Sequence, residues 1–236
     1  MRCRKCKIVW ITALYFCICW MLYSWNTPAY ISSETVRIYS IHGMTEGYYS
    51  ICAFLVLYTA ALICYVLMMM REDWMYIVIR YLDRKELWKI KIYHMIKYIF
   101  EFTFIHFIVD IVLLLFSYPV SSVLHSQILT YLLLFFPNAF FYYIFFISVF
   151  LMWQTMFPTW KAIIVTSGMA VLIYLIMYSG NIPAWNPFFF LSLLSMQMRN
   201  GVNEADLILS YMNILSMDVI VVFMGLKYYH EKEYHH

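Results

Sequence analysis

An all-α integral membrane protein with six transmembrane helices is the fold that three features of this sequence predict. Of its 236 residues, 64% are hydrophobic and 12% are charged. A soluble domain runs near 45–50% and about 25%, so water cannot be the solvent for most of this chain. Six apolar runs approach or exceed the roughly 20 residues that a helix needs to cross a hydrocarbon core of about 30 Å. Fourteen of the sixteen Lys and Arg residues also fall in segments that alternate crossings would gather on one side.

The spans are predicted at about residues 8–25, 49–70, 98–118, 128–153, 162–178 and 206–228, within one transmembrane domain covering 1–236 and without an internal repeat. These runs are apolar on every side, whereas a barrel strand is about ten residues of strict alternation. A helix satisfies its own backbone in lipid. Arg2, Arg4, Lys5 and Lys7 precede the first helix, seven basic residues lie in 71–97, Lys161 sits between helices four and five, and Lys227 and Lys232 follow the last. Only Arg37 and Arg199 fall on the other side. The positive-inside rule then puts both termini in the cytoplasm. The opening MRCRKCKIVWITALYFCICW has the basic start and apolar core of a secretory signal, but the core is long and no small-x-small cleavage site follows it, so an uncleaved first helix is expected. The net charge of +3 is accounted for by the cytoplasmic loops and gives no sign of a nucleic-acid partner.

Three connecting segments are distinctive. The outside loop 26–48 has nearly balanced charge and is too short for a domain. The stretch 71–97 combines its seven basic residues with four acidic ones among Trp, Ile and Tyr. Trp74, Ile77, Val78, Tyr81 and Leu82 recur at three- and four-residue spacing, which puts them on one face of a short amphipathic helix at about 72–82. Asp83 can cap a second helix, with Glu86 three residues on as its reciprocal partner, running through Lys97 into the membrane. In the outside segment 179–205, Asn186 is a good cap, Pro187 a good first helical residue and Gly201 a good stop. The run between them is about 12 residues, roughly 18 Å at about 1.5 Å each. That is too short to span, yet PFFFLSLL is too apolar for water, so a re-entrant helix dipping into the outer leaflet is expected before helix six.

This layout resembles the small export-type permeases of ATP-binding-cassette transporters: six helices with both ends inside, a charged amphipathic helix between helices two and three, and a Pro-containing re-entrant element before helix six. In that family the first cytoplasmic loop often reads as an acidic residue, an apolar turn, an arginine, then a second arginine followed by a lysine entering helix three. Glu72, Tyr76, Arg80, Arg84 and Lys89 or Lys91 fit that order. The family's outer element, a proline, an aromatic run and Leu-Ser, is matched by Pro187, Phe188, Phe189, Phe190, Leu191 and Ser192. The resemblance implies a coupling helix seated in a groove of a separate ATPase subunit, with Glu72, Trp74, Tyr76, Ile77, Arg80, Tyr81, Asp83 and Arg84 as contact residues. It implies an outer gate at Trp185, Pro187, Phe188, Phe189 and Phe190.

It further implies no cofactor in this chain, ATP and Mg being held by two ATPase copies, and a second permease copy or a homologous permease as partner. In agreement, none of the glycines (Gly43, Gly47, Gly168, Gly180, Gly201, Gly225) stands in a G-x-x-x-x-G-K-[ST] phosphate loop. One feature departs from the family. An amphipathic elbow helix usually precedes the first span, whereas only seven residues do so here, so ATPase contact would rest more heavily on 71–97. A helix lying on anionic lipid would also use Trp, Ile and Lys, but the four acidic residues favour a protein partner over the bilayer alone.

The expected function is therefore the membrane-spanning permease subunit of an ATP-driven exporter in a bacterial cytoplasmic membrane, in the class that serves peptide or bacteriocin export and self-immunity. A substrate-binding membrane subunit of an uptake transporter is the alternative. It too has six helices, but typically lacks a long amphipathic loop between the second and third. An integral membrane enzyme is the remaining class. There is no HExxH, no nucleophile elbow and no pair of carboxylates at catalytic spacing.

Charges inside a membrane are costly and have a reason to be there. Asp110 lies about 12 residues, or about 18 Å, into helix three, and Asp218 lies at similar depth in helix six. His106 is one turn from Asp110 on the same face, a spacing that permits contact. Asn138 follows Pro137, which frees a backbone carbonyl that needs a partner. These four residues either line a path for a cationic or polar substrate or hold the bundle together by interhelical hydrogen bonds. Glu101, near the cytoplasmic interface, can snorkel. No metal site is expected. HFIVD at 106–110 offers two ligands without a third, His106 and His125 sit at different levels for a haem pair, and Cys3 and Cys6 lack the second pair that zinc requires. Cys17, Cys19, Cys52 and Cys64 fall within helices as packing residues.

Overall fold

A computed structural model describes residues 2–25, 33–43, 47–80, 84–179 and 204–231, and every element among them is helical. The long helices are α1 (Arg2–Trp25), α3 (Thr59–Arg80), α4 (Arg84–Ser117), α6 (Ile128–Met156), α7 (Thr159–Ser179) and α8 (Glu204–Glu231). Short helices α2 (Glu34–Ile41) and α5 (Val120–His125) occupy two of the connections, and a π-helical turn, Ala53–Tyr58, leads into α3. Six stretches are long and apolar enough to cross a membrane: Arg4–Trp25, Ala53–Arg71, Lys89–Ser117, Ile128–Gln154, Thr159–Ile176 and Glu204–Gly225. By length and composition this is a multi-pass membrane protein.

One boundary differs from the sequence reading. Residues 72–80 do not form a helix of their own: α3 continues without a break from the apolar span to Arg80. The stretch MMMREDWMYIVIR contains no Gly or Pro, so nothing interrupts the backbone ladder where the chain turns from apolar to charged. The connection 119–127 contains the short helix α5. Tyr81 and Asp83 lie outside the described residues, as do Trp185, Pro187, Phe188, Phe189 and Phe190. The proposed turn and the re-entrant helix fall there too.

The central helix is α6, which packs against α3, α4, α7 and, most extensively, α8. Its interior face is crowded with rings, and Phe135, Tyr142, Tyr143 and Phe146 are fully buried. Outer faces are apolar instead of polar: Trp10 and Leu14 on α1, Leu172 on α7, and Met212 and Phe223 on α8 are mostly exposed. A helix surface of this kind suits lipid as its solvent.

The widened turn at 53–58 is held by side chains. The Thr59 hydroxyl donates to the Phe54 carbonyl at 2.8 Å, Tyr142 donates to the same oxygen at 3.1 Å, and the two hydroxyls meet at 2.8 Å. A π turn costs a regular hydrogen-bond ladder, and here the surplus carbonyl is satisfied from α6. Its effect is to rotate Phe54 and Tyr58 into the core, where both are completely buried.

One end of the bundle, where α1 and α4 finish and α6 begins, is closed by α2 and α5. Tyr39 donates to the Ser126 carbonyl at 2.8 Å, and Ser122 bonds the Glu34 carboxylate. After α2 the chain folds back sharply: the Tyr48 amide donates to the Ile41 carbonyl at 2.6 Å and the Gly47 amide to the Gly43 carbonyl at 3.1 Å. A Cβ at Gly47 would lie 2.4 Å from the Gly43 nitrogen and 2.5 Å from the Ile41 oxygen. Only glycine fits there. The close approach sends Tyr48 and Tyr49 inward, so a segment that reads as an exposed loop is buried at His42 and at 47–50.

Candidate functional site

Asp110 is the centre of the most elaborate polar site among the described residues. It has no solvent-exposed surface, and three elements supply donors to it. The Trp20 indole of α1 donates to Oδ1 at 3.0 Å, and the Tyr49 hydroxyl, from the turn after α2, donates to Oδ2 at 3.1 Å. His42, at the C-terminal end of α2, sets Nε2 3.1 and 3.2 Å from the two oxygens. Its Nδ1 lies 2.7 Å from the Ile38 carbonyl. A carbonyl can only accept, so Nδ1 donates; a carboxylate can only accept, so Nε2 donates as well. The arrangement is that of a buried imidazolium–carboxylate pair. Burial works against the charge on His42, but the neighbouring Asp110 carboxylate, the hydrogen bond to it and the Ile38 carbonyl outweigh it and raise the histidine pKa.

His106 does not make the contact that its spacing permits. Its Nδ1 is 3.1 Å from the Tyr143 hydroxyl and its Nε2 has no hydrogen-bond partner. The ring is sandwiched instead, stacking on Phe16 at 4.4 Å and 4° and on Tyr49 at 5.3 Å and 17°. Tyr49 in turn stacks on His42 at 5.7 Å and 16°. Phe16, His106, Tyr49 and His42 thus form one column of near-parallel rings linking α1, α4 and the α2 cap. Offset or edge contacts from Tyr48, Phe54, Tyr58 and Phe107 surround it. This is a packed polar–aromatic core, each pair of rings contributing about 0.5–1.5 kcal/mol beyond burial.

The other two singled-out residues lie elsewhere. Asn138 Oδ1 accepts from the Ser210 hydroxyl of α8 at 2.9 Å, while its Nδ2 has no partner. The Tyr211 hydroxyl donates to the Leu134 carbonyl, whereas the carbonyl that Pro137 leaves without its helical donor is that of Leu133, four residues back. Asp218 lies eight residues beyond Ser210 on α8, about 12 Å further along the helix. It is 6% exposed, and neither carboxylate oxygen has a hydrogen-bond partner. Asp110 and His106 therefore share one site, and Asn138 and Asp218 do not join it. Glu101 accepts from Tyr65 at 3.3 Å. Among the described residues no group of three His, Cys, Asp or Glu side chains is placed to hold a metal ion.

What sequence reasoning missed is the partner set of Asp110. His42 and Tyr49 stand 68 and 61 positions away in a connection whose balanced charge suggested solvent. The one available signal was the pairing of a histidine with GYY in so short an outside loop.

The raised His42 pKa sets a pH dependence. A group whose folded pKa exceeds its unfolded value of about 6.5 contributes stability below that value, and the contribution is lost as pH rises through the folded pKa. Hydrogen-exchange protection of 34–43, corrected for intrinsic rates, is therefore expected to fall as pH rises above the unfolded value of about 6.5 and through the raised folded one. It should lose this dependence in Asp110→Asn. Equal protection across that range would contradict the ion pair.

The fold and site together define the class: a multi-pass α-helical membrane protein whose third span buries a carboxylate clamped by an inserted cap. Compared with known proteins, the chain matches no family model, no curated protein and no solved structure.

Proposed function

We propose that this chain is the membrane-spanning permease subunit of an ATP-binding-cassette exporter in a bacterial cytoplasmic membrane. In this reading two copies of a separate ATPase subunit, which hold ATP and Mg, drive it, and its cargo belongs to the peptide or bacteriocin class, including self-immunity. The observation that carries the reading is the extension of α3 and α4 beyond the apolar spans. The second span ends at Arg71 and the third begins at Lys89, yet α3 is helical to Arg80 and α4 is helical from Arg84. Nine helical residues past Arg71 reach about 13 Å at about 1.5 Å each, far enough to stand clear of the bilayer surface. The extensions contain Glu72, Asp73, Arg80, Arg84, Lys85 and Glu86 among apolar residues. A pair of helical extensions at the basic end, apolar and charged at once, suits docking to a protein partner. Its continuity with the spans would transmit a push from that partner directly into the membrane helices.

The packed interior supports a second copy. With Phe16, Tyr49, Tyr58, Phe102, Phe135 and Tyr143 filling the centre of one bundle, a path for cargo fits between bundles better than within one. The purified transporter is expected to contain two permease copies, or this one with a relative, and two ATPase copies. Mass measurement of the detergent-solubilised complex checks it. A complex with a single permease that still shows cargo-stimulated ATP hydrolysis would exclude the reading.

A further inference from the structure

One outward face of α4 changes from cationic to aromatic where the helix enters its apolar span. Lys89, Tyr93, Lys97, Phe100 and Phe104 recur at four- and three-residue spacing, so they share one side of the helix. That side is turned away from the bundle. Lys89 and Lys97 are exposed, and Tyr93, Phe100 and Phe104 are 67%, 49% and 52% exposed. Phe100 stacks on Phe104 at 6.2 Å and 13°, and meets Phe136 and Phe140 of α6 edge to face at 6.0 and 5.9 Å. The inner part of the face is thus an aromatic groove between α4 and α6, and the outer part is two ammonium groups flanking a phenol.

Two contacts set the depth of this face. Lys91 donates to Gln154 at 3.4 Å, close to the end of α6 at Met156. Lys5 donates to the Tyr98 hydroxyl at 3.2 Å, close to the start of α1 at Arg2. Both neighbouring helices therefore terminate alongside residues 91–98, while α4 continues to Arg84. The turns from Lys89 to Lys97 stand at the level where the bundle meets the membrane surface, and Phe100 and Phe104 lie about 5 and 10 Å deeper at about 1.5 Å per residue. The charge at this level is one-sided. No Asp or Glu stands in 87–100 or in 111–203, so neither this stretch of α4 nor any part of α6 or α7 offers a carboxylate. Glu101, the next acid along α4, accepts from Tyr65 of α3. Among the described residues neither Lys89 nor Lys97 meets a carboxylate. Their flexible four-carbon stems can bring both amines toward Tyr93, where two ammonium groups and a hydroxyl present donors to one anion.

We infer that this face binds one anionic phospholipid, with Lys89, Tyr93 and Lys97 holding its headgroup phosphate and Phe100, Phe104 and the two α6 rings bearing an acyl chain. Such a lipid needs a cationic, hydrogen-bonding seat at the membrane surface and an apolar surface immediately beneath it, and α4 supplies the two in that order. A zwitterionic lipid has the same tails but brings its own cation toward the two ammonium groups. A soluble phosphate has the headgroup chemistry but nothing to fill the groove. Lys161, near the start of α7, is the internal contrast, because its amine is held over the Trp160 ring at 5.3 Å. The site does not rest on the permease reading, since it uses neither an ATPase nor a second copy.

Native mass spectrometry of the full-length chain in detergent, titrated with phosphatidylglycerol or phosphatidylcholine of equal chain length, tests this. Wild type is expected to retain phosphatidylglycerol in preference, one molecule per chain. Each basic residue near an anionic lipid contributes about fivefold in affinity, so Lys89→Gln with Lys97→Gln should weaken phosphatidylglycerol about thirtyfold and leave phosphatidylcholine unchanged. Phe100→Ala with Phe104→Ala should weaken both lipids alike, and Lys161→Gln should change neither. Glycerol phosphate, a headgroup without tails, should not displace the bound lipid. Equal retention of the two lipids by wild type would overturn the site. So would a loss in Lys161→Gln as large as in the lysine pair, which would mean a general attraction of the basic surface. Displacement by glycerol phosphate at the concentration of the lipid would assign the face to a soluble phosphate instead, and reject the lipid. The wild-type comparison decides without any variant, and with no ATPase present its failure would leave the permease reading standing.

Discussion

Asp110→Ala is expected to lower the yield of folded protein severely and to destabilise what remains by about 3–5 kcal/mol, the range for removing one member of a buried ion pair. Three donors lose their acceptor at once: the Trp20 indole, the Tyr49 hydroxyl and the His42 ring. Interhelical hydrogen bonds in membranes average only about 0.6 kcal/mol and reach about 1.7, so the two neutral donors alone would not produce so large an effect. The uncompensated imidazolium supplies the rest, because His42 is nearly fully buried and must shed its proton or leave the core. Leaving it would take α2 along and open the end of the bundle. Asp110→Asn, which still accepts from Trp20 or Tyr49 but lacks the charge, should fall between wild type and alanine. Thermal unfolding of the detergent-solubilised variants, together with size-exclusion profiles, checks the order. Normal expression and stability of Asp110→Ala combined with an altered cargo profile would assign the residue to a transport path and reject the clamp.

Asp218 should behave differently, although the sequence gives no reason to separate the two carboxylates. Both are single acids at comparable depth in apolar helices, and sequence spacing identifies neither one's environment. The structure distinguishes them by what arrives from elsewhere: three donors at Asp110 and none at Asp218. The six spans were legible because a run of roughly 20 apolar residues has few ways to satisfy its backbone in lipid other than a helix. The cap was not legible, for the corresponding reason. Its burial depends on the close approach of Gly47 to the Ile41–Gly43 backbone and on partners some 60 to 70 positions away, and no local periodicity records such contacts. His106 shows the same limit from the other side. The four-residue spacing to Asp110 was real, but stacking between Phe16 and Tyr49 turns the ring toward Tyr143 instead. The π turn is likewise silent in AFLVLY, whose composition suits an ordinary helix. Only Thr59 and Tyr142, 83 positions apart, reveal why the wider turn is tolerated.

On the permease reading proposed above, replacing Trp74 and Tyr81 together with alanine is expected to release the ATPase subunit during purification while this chain stays inserted and folded. The spacing of Trp74, Ile77 and Val78 gathers an apolar stripe on the extension of α3, past the last residue of the apolar span at Arg71, and Tyr81 continues that spacing in the sequence. Buried aromatic and arginine anchors dominate protein interfaces, each worth roughly 2 kcal/mol or more on truncation. Losing two would weaken docking by about 4 kcal/mol, close to a thousandfold. Arg80→Glu should act in the same direction, since a reversed charge in a docked surface is repelled as well as unpaired. A helix lying on anionic lipid predicts another outcome: about 1 kcal/mol of membrane attraction lost per basic residue removed, with no partner released. Co-purification of wild type, the double variant and Arg80→Glu with the ATPase, in detergent where lipid attraction plays no part, separates the two. If the double variant keeps the ATPase at wild-type stoichiometry, the extension is not the docking surface. The permease reading would then have to find its coupling elsewhere on the basic face.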